Sequence, residues 1–214
     1  AMTAHFFAEL NVSGLDLQLN SIGCKTCRPA FNKKLQEFLQ ASASELCEDC
    51  QERMERNPLR TFDCKNSSCQ HSLQNAPRIS QHWCEDCAKH FDEVQAALTT
   101  LNVKYTLNDK IVRGLDYYMR TAFEFLSSDL GAQSAVAAGG RYDGLIADLG
   151  GEDIPGVGVA MGVERILLLL EAQNQLPNLQ EELIFVAPLS QQAVEHIFPT
   201  IQQLRAKNLR VEWE

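Results

Sequence analysis

The run Arg113-Gly-Leu-Asp-Tyr-Tyr-Met-Arg-Thr-Ala-Phe-Glu-Phe125 places an arginine, an aspartate and two adjacent tyrosines within six residues, then passes into a short β-like segment over 122–125. That density of polar and aromatic chemistry is unusual for a plain strand. Extending strand geometry back through the tyrosines predicts that Tyr117 and Tyr118 serve opposite surfaces, because successive strand side chains alternate. The plainer reading of the same residues is a cross-strand aromatic pair beside a solvated arginine.

Downstream, residues 134–138 read as a second strand ending in Gly139-Gly140, followed by Arg141, Tyr142 and Asp143. Paired glycines let backbone approach a flat or charged ligand, although a Gly-Gly before charged residues is also an ordinary turn. Residues 157–161 read as a third strand. Gly156, Gly158, Ala160 and Gly162 alternate there with Val157, Val159 and Met161, which predicts one nearly bare face and one core face. A planar ring fits a bare face, and Arg165, in the first turn of a helix over 163–173, is placed to cover it or to reach a phosphate. The alternative is close helix–strand packing that needs small residues.

Upstream, Leu15, Leu17 and Leu19 alternate with polar residues over 13–22, the period of a half-buried strand. Helices are predicted over 32–46, with Phe31, Leu35, Phe38 and Leu39 on one side, and over 83–101, with Phe91, Val94, Ala97 and Leu98. Residues 57–77 read as loops, and 103–107 as a short strand. After a break at Pro177-Asn178, residues 183–186, 191–207 and 209–213 read as a buried strand, a helix and a strand. Such a parallel pair alone cannot bury both faces.

All eight cysteines fall between Cys24 and Cys87, in the close pairs Cys24/Cys27, Cys47/Cys50, Cys64/Cys69 and Cys84/Cys87. Two thiolates on one short turn supply half of a tetrahedral zinc site, so four pairs can close two sites. A disulfide framework needs an oxidising compartment that nothing else in the sequence supports, and free thiols are the third reading. Cys24, Cys27, Cys84 and Cys87 bracket the block where it leaves and rejoins the flanking strands and are expected to form one set. Cys47, Cys50, Cys64 and Cys69 would form the inner one.

The 214 residues are 45% hydrophobic and 22% charged, ordinary for a globular protein, with room for one or two domains. No apolar run approaches the ~20 residues of a membrane span, and no basic segment followed by an apolar one opens the chain. The net charge of −9 disfavours general binding to a phosphate backbone. Residues 24–90, with 10 basic and 9 acidic side chains, are the least unfavourable place for nucleic acid.

In this order and spacing the segments resemble one family, the histidyl-tRNA synthetases of class II. Residues 113–124, with the core Arg-Gly-Leu-Asp-Tyr-Tyr, resemble its histidine-binding signature. Residues 139–145 resemble its second signature and 156–165 resemble class II motif 3, while 19–23 and the cysteine-rich block resemble a strand and an insertion domain of many bacterial members. The resemblance covers almost the whole chain. It implies an α+β fold: a class II antiparallel sheet with flanking helices, a small cysteine-rich helical insertion, and the start of an α/β anticodon-binding domain. The divisions expected are a catalytic strand segment at 1–23, the insertion at 24–95, the catalytic domain at 96–176 and the first β-α-β of the anticodon-binding domain at 181–214. Motifs 1 and 2 are not recognised, so the chain is expected to be an internal fragment, inactive in isolation.

The activity implied is ATP-dependent formation of histidyl-adenylate and transfer of the histidyl group to tRNA(His), in a cytoplasmic homodimer without membrane attachment. The resemblance makes Arg113 the catalytic group at the α-phosphate. It places Leu115, Asp116, Tyr117, Tyr118, Gly139, Gly140 and Tyr142 around the histidine, and Arg113, Gly158, Gly162 and Arg165 at the ATP. Mg²⁺ would accompany the phosphates, and Zn²⁺ is the candidate ion for the insertion. Two other readings stand beside this one: a silent paralogue that regulates ATP phosphoribosyltransferase, disfavoured by the presence of Arg113 and Arg165, and a zinc-dependent nucleic-acid-binding module.

Overall fold

The alternation of Leu15, Leu17 and Leu19 is realised in β1 (Leu15–Ser21), where Leu17 and Leu19 are buried. The computed structural model describes residues 1–131, 134–176 and 183–214, so the break at Pro177-Asn178 and the boundary at 181 lie outside the described residues. Residues 1–175 form one compact unit and 176–214 a second.

In the first unit β1 lies between β2 (Thr106–Leu107) and β3 (Met119–Ser127), followed by β4 (Ala135–Arg141) and β5 (Val157–Met161) at the far edge. The β1–β2 pairing is parallel and the other three are antiparallel. α1 (Met2–Glu9), α5 (Glu85–Thr100) and α7 (Val163–Ala172) contribute Phe7, Phe91, Leu98, Ile166, Leu169 and Leu170 to a core with Leu17, Leu19 and Phe125 of the sheet. A short helix, α6 (Leu145–Asp148), links β4 to β5.

The cysteine-rich region consists of α2 (Arg28–Ala41), α3 (Glu48–Arg56), α4 (Ser67–Ser72) and intervening single turns of 3₁₀-helix. α2 starts four residues before the predicted helix because Pro29 fits a first helical turn, where its missing N–H has no partner to lose. Phe31, Leu35 and Leu39 are buried as the periodicity requires. Residues 57–77 are not loops as predicted. They hold 3₁₀ turns at Pro58–Asp63 and Leu73–Asn75 and the helix α4, started by the Asn66 side chain accepting from the Ser68 N–H.

The core of this region includes Ile22, Ile111, Val112 and Ala122 from the sheet and its approach segment. Trp83 packs against both cores and donates its indole N–H to the Ser21 carbonyl at 2.9 Å. The insertion is therefore seated on the opposite face of the sheet from α1, α5 and α7.

Three strand expectations need correction. Gly139 and Gly140 do not end their strand, since both lie inside β4, paired with Phe123 and Ala122 on one side and Val159 and Gly158 on the other. Val157 and Met161 were expected in the core, yet both are exposed, because β5 is the edge strand. The segment 183–186 was read as buried, but Leu183 and Phe185 are exposed. In the second unit, β6 (Leu183–Val186) and β7 (Arg210–Trp213) pair in parallel, with α8 (Gln191–Ala206) the one helix among the described residues of that unit.

Candidate functional site

The site lies on the insertion-facing side of the sheet. Strand alternation puts Asn20, Ala122 and Glu124 on that face. Their cross-strand partners Gly140 and Ala138 and, beyond them, Gly158 and Ala160 continue it. The result is a floor of very small side chains with Glu124 toward one side. Gly139 is one residue out of phase: a Cβ there would meet the Phe123 ring at 2.8 Å on the opposite face. Of the two glycines predicted around the histidine, only Gly140 faces the floor.

Strand geometry ends at Met119. Arg120 adopts φ 54°, and the β3–β4 register shifts between Met119 and Ala122, a bulge that redirects the chain. Residues 113–118 consequently form a loop, and the expected opposition of Tyr117 and Tyr118 is corrected. Their rings lie 4.6 Å apart, and both meet the Tyr142 ring edge-on at 5.8 and 6.0 Å. The three tyrosines form one aromatic corner over Gly140, whose Cβ, if present, would come within 3.0 Å of the Tyr118 ring.

The bare face of β5 also has an occupant. A Cβ at Gly158 would lie 2.8 Å from the Tyr142 hydroxyl, and one at Gly156 would collide with the same ring. The planar group over Gly156 and Gly158 is thus Tyr142 itself, and the open shelf expected there is not found. Arg165 packs over Gly162 and donates to the Ala135 carbonyl at 2.7 Å, which fixes its guanidinium at the β4 end of the floor.

Arg113 bonds Glu124 at 2.7 Å and stacks over the Tyr118 ring, with its guanidinium carbon 5.6 Å from the ring centre. Burial pushes the Glu124 carboxyl above its usual range; Arg113 pulls it down, Asp63 pushes it up and Lys65 pulls it down. Burial likewise raises the Tyr118 phenol, so the hydroxyl remains a donor at neutral pH. The approach to Arg113 is anchored by Asn20, which donates to the carbonyls of Ile111 at 2.8 Å and Asp109 at 3.3 Å.

The insertion holds this loop from outside. Arg28 donates to the Tyr118 carbonyl at 2.6 Å, Asn57 donates to the Asp116 carboxylate, and the Arg60 guanidinium lies beside Gly114. Of the predicted histidine-site residues, Asp116 is therefore engaged by Asn57 and Leu115 is exposed. Sequence reasoning missed Arg28, Asn57 and Asp63. They lie far from residue 113 in the chain, and no periodicity or motif links them to it. Glu124 was quoted within the signature without a role.

The cysteines form the two expected quartets, Cys24/Cys27/Cys84/Cys87 and Cys47/Cys50/Cys64/Cys69, with all sulfurs of a set within 4.8 Å of one another. Sulfur separations of 3.8 Å (Cys24–Cys27), 3.7 Å (Cys24–Cys84), 3.9 Å (Cys27–Cys87) and 3.8 Å (Cys47–Cys64) are far too long for disulfides. They match the ~3.8 Å edge of a tetrahedron with ~2.3 Å metal–sulfur bonds. Backbone N–H groups point at the sulfurs, including Cys24 to Cys27 and Cys47 to Cys69, each at 3.2 Å. Burial raises the Cys24 thiol, but bonds from the Cys27 and Thr26 backbone outweigh it and bring it down to about 6; burial pushes Cys50 and Cys87 up. The donor set, its spacing and the N–H···S bonds all suit Zn²⁺.

A predominantly antiparallel sheet with helices on one face and an aromatic, arginine-flanked floor on the other is the α+β architecture of the class II synthetases. The sequence model of the family described as histidyl-tRNA synthetase matches residues 24–166, and the chain belongs to that family. It is 46% identical over 204 residues to the histidine–tRNA ligase of Desulfitobacterium hafniense, covering 95% of this chain and 48% of that protein. It is 49% identical over 177 residues to that of Moorella thermoacetica, covering 83% and 42%. The crystal structure of apo Staphylococcus aureus histidyl-tRNA synthetase superposes with a TM-score of 0.74 at 29% identity, over 100% of this chain and 53% of that one. The chain spans about half the length of the curated relatives it matches. No described helix is long and apolar enough to cross a membrane.

Proposed function

We propose that this chain carries the histidine-activating centre of a histidine–tRNA ligase, which joins L-histidine to ATP as histidyl-adenylate and passes the histidyl group to tRNA(His). The observation that carries this reading is the aromatic corner of Tyr117, Tyr118 and Tyr142 beside Arg113, on a floor with too little side chain to bury a core of its own. A flat imidazole fits against such a corner, and phenolic hydroxyls can bond its ring nitrogens. A pocket built to hydrogen-bond the substrate rejects analogues lacking those atoms far better than an apolar pocket does.

In this reading Arg113 binds the α-phosphate, where charge grows as the histidine carboxylate attacks and pyrophosphate leaves. A guanidinium stays charged and donates two bonds at once, and its pairing with Glu124 and Tyr118 holds it ready without reorganisation. Tyr118 and Tyr142 hold the imidazole with Tyr117 behind them, and Gly140 seats the Tyr118 ring. Arg165, over Gly162, holds the nucleotide; Gly158 keeps its place as the seat of Tyr142. Mg²⁺ travels with the phosphates as part of the substrate. The two cysteine quartets are structural zinc centres that take no part in the reaction. A second copy in a homodimer, tRNA(His) and a cytoplasmic location belong to the same proposal.

The paralogue that regulates ATP phosphoribosyltransferase is disfavoured, because it tends to lose the signature arginine that stands here as Arg113. The deciding experiment is histidine-dependent ATP–pyrophosphate exchange by the protein from its native source. Exchange that needs histidine and is lost in Arg113→Ala supports the ligase. Tight histidine binding with no exchange by the unmodified protein would favour the regulatory reading.

A further inference from the structure

The Pro58–Asp63 turn delivers Phe62 into the insertion core and Cys64 into the inner quartet, so its position is fixed from within. Gln70 adds a bond to the Cys64 carbonyl at 2.6 Å. Between and beyond these anchors, Asp63 and Lys65 turn outward. Both line a cavity of about 710 Å³ whose other walls include Glu124 on the floor, Arg165 and Lys110. This volume is in the range of ligand pockets.

The charges in this cavity are unevenly committed. Glu124 is bonded to Arg113, and Arg165 is held to the Ala135 carbonyl. The Lys65 ammonium makes no hydrogen bond or ion pair with any described residue; its charge acts on the Asp63 and Glu124 carboxylates that line the same cavity and lowers the pKa of each. A solvated lysine on an open surface would be unremarked; one on a segment fixed by Phe62 and Cys64, facing an arginine-flanked cavity, is placed for an anion.

We propose that Lys65 is a phosphate-binding residue of the nucleotide site, contributed by the insertion, and that it holds the polyphosphate of a nucleoside triphosphate opposite Arg113 and Arg165. This rests on the reading of the floor as an adenylate-forming site. A triphosphate needs several cations, and Arg113 is already partly neutralised by Glu124. An ammonium serves as a point charge that follows a polyphosphate without demanding one geometry.

The test is calorimetric titration of the protein from its native source with Mg·ATP, inorganic tripolyphosphate and, separately, L-histidine. Lys65→Ala should weaken both phosphate ligands about tenfold, the effect of one charge-assisted bond, and leave histidine affinity unchanged. Lys65→Arg should recover most of the loss, and Lys104→Ala, an exposed lysine outside this cavity, should have no effect. Equal binding by Lys65→Ala and the unmodified chain overturns the inference while leaving the ligase reading intact, as does an equal loss in Lys104→Ala. If the unmodified protein from its native source binds histidine but neither phosphate ligand, the adenylation reading falls and this inference with it.

Discussion

Arg28 donates to the carbonyl of Tyr118 at 2.6 Å across 90 residues of sequence, and also to the Gly23 carbonyl at 3.3 Å. Burial lowers the Arg28 pKa, and the nearby thiols Cys27 and Cys24 and the Asp116 carboxylate offset part of that cost. One side chain thus ties the outer cysteine quartet to the aromatic corner. Removing it leaves a carbonyl without its charged donor, an effect of ~1.5–3 kcal/mol. Arg28→Ala should therefore weaken histidine binding roughly 10- to 100-fold. Calorimetry on the two proteins checks this, and unchanged affinity would show that the Tyr118 loop stands without the insertion.

Gly158→Ala and Gly156→Ala test the seat of Tyr142. A Cβ at 158 would lie 2.8 Å from the Tyr142 hydroxyl, and one at 156 would meet the same ring, so the ring must swing out of the corner. Strain of this kind costs ~1–3 kcal/mol. Because β5 is an edge strand, little of it should appear as lost stability. The expected outcome is at least a tenfold loss of histidine affinity with a melting temperature close to that of the parent. A large loss of stability at full affinity would mean that Tyr142 serves packing alone.

His90 gives a pH signature. Its Nε2 lies 3.2 Å from the Arg141 guanidinium, so the neutral ring accepts a bond from Arg141. Burial, then the charges of Arg141 and Arg120, lower its pKa below 6.5, against weaker opposition from Glu93 and Asp143. The unfolded chain takes up this proton near 6.5 and the folded chain only at lower pH, so the unfolded state binds more protons in between. Stability should fall as pH drops from about 7 through that interval and level off below the folded pKa. Urea denaturation of His90→Gln should show a shallower decline over the same range. Identical slopes in the two proteins would remove His90 as the cause.

The sequence made the local periodicities legible. Leu17 and Leu19 face the core, Phe31, Leu35 and Leu39 line one side of α2, and the cysteine sets follow from which pairs bracket the block. What failed depends on long-range pairing. Tyr117 and Tyr118 share a surface because strand geometry stops at Met119, beside a bulge at Arg120 that redirects the chain, and a bulge leaves no composition signal. The exposure of Val157 follows from its strand being at the sheet edge, which local alternation cannot report. Arg28, Asn57 and Asp63 reach the site only because the insertion folds back onto residues 113–118, and nothing near them in the chain foretells it.

That same folding back sets the expected response to metal removal. Within each quartet all sulfurs lie within 4.8 Å of one another, close enough to share one Zn²⁺, so protein prepared without chelator should contain two zinc per chain and eight reduced cysteines. Without metal, four sulfurs packed this closely must share protons or separate, and structural zinc sites commonly lose their fold on chelation. The insertion core includes Ile111, Val112 and Ala122, so its loosening should not stop at the insertion. Amide exchange after chelation should rise over 24–83 and also over 111–118, while α7 and the Leu17–Phe125 core beneath it stay protected. Cys50→Ser should lower the zinc content to one and loosen 58–65. Cys87→Ser should also give one zinc but act first on Arg28 and Tyr118, because Arg28 lies beside the outer set. Zinc-free protein with unchanged exchange over 24–118 would mean that the eight cysteines are small buried apolar residues and nothing more.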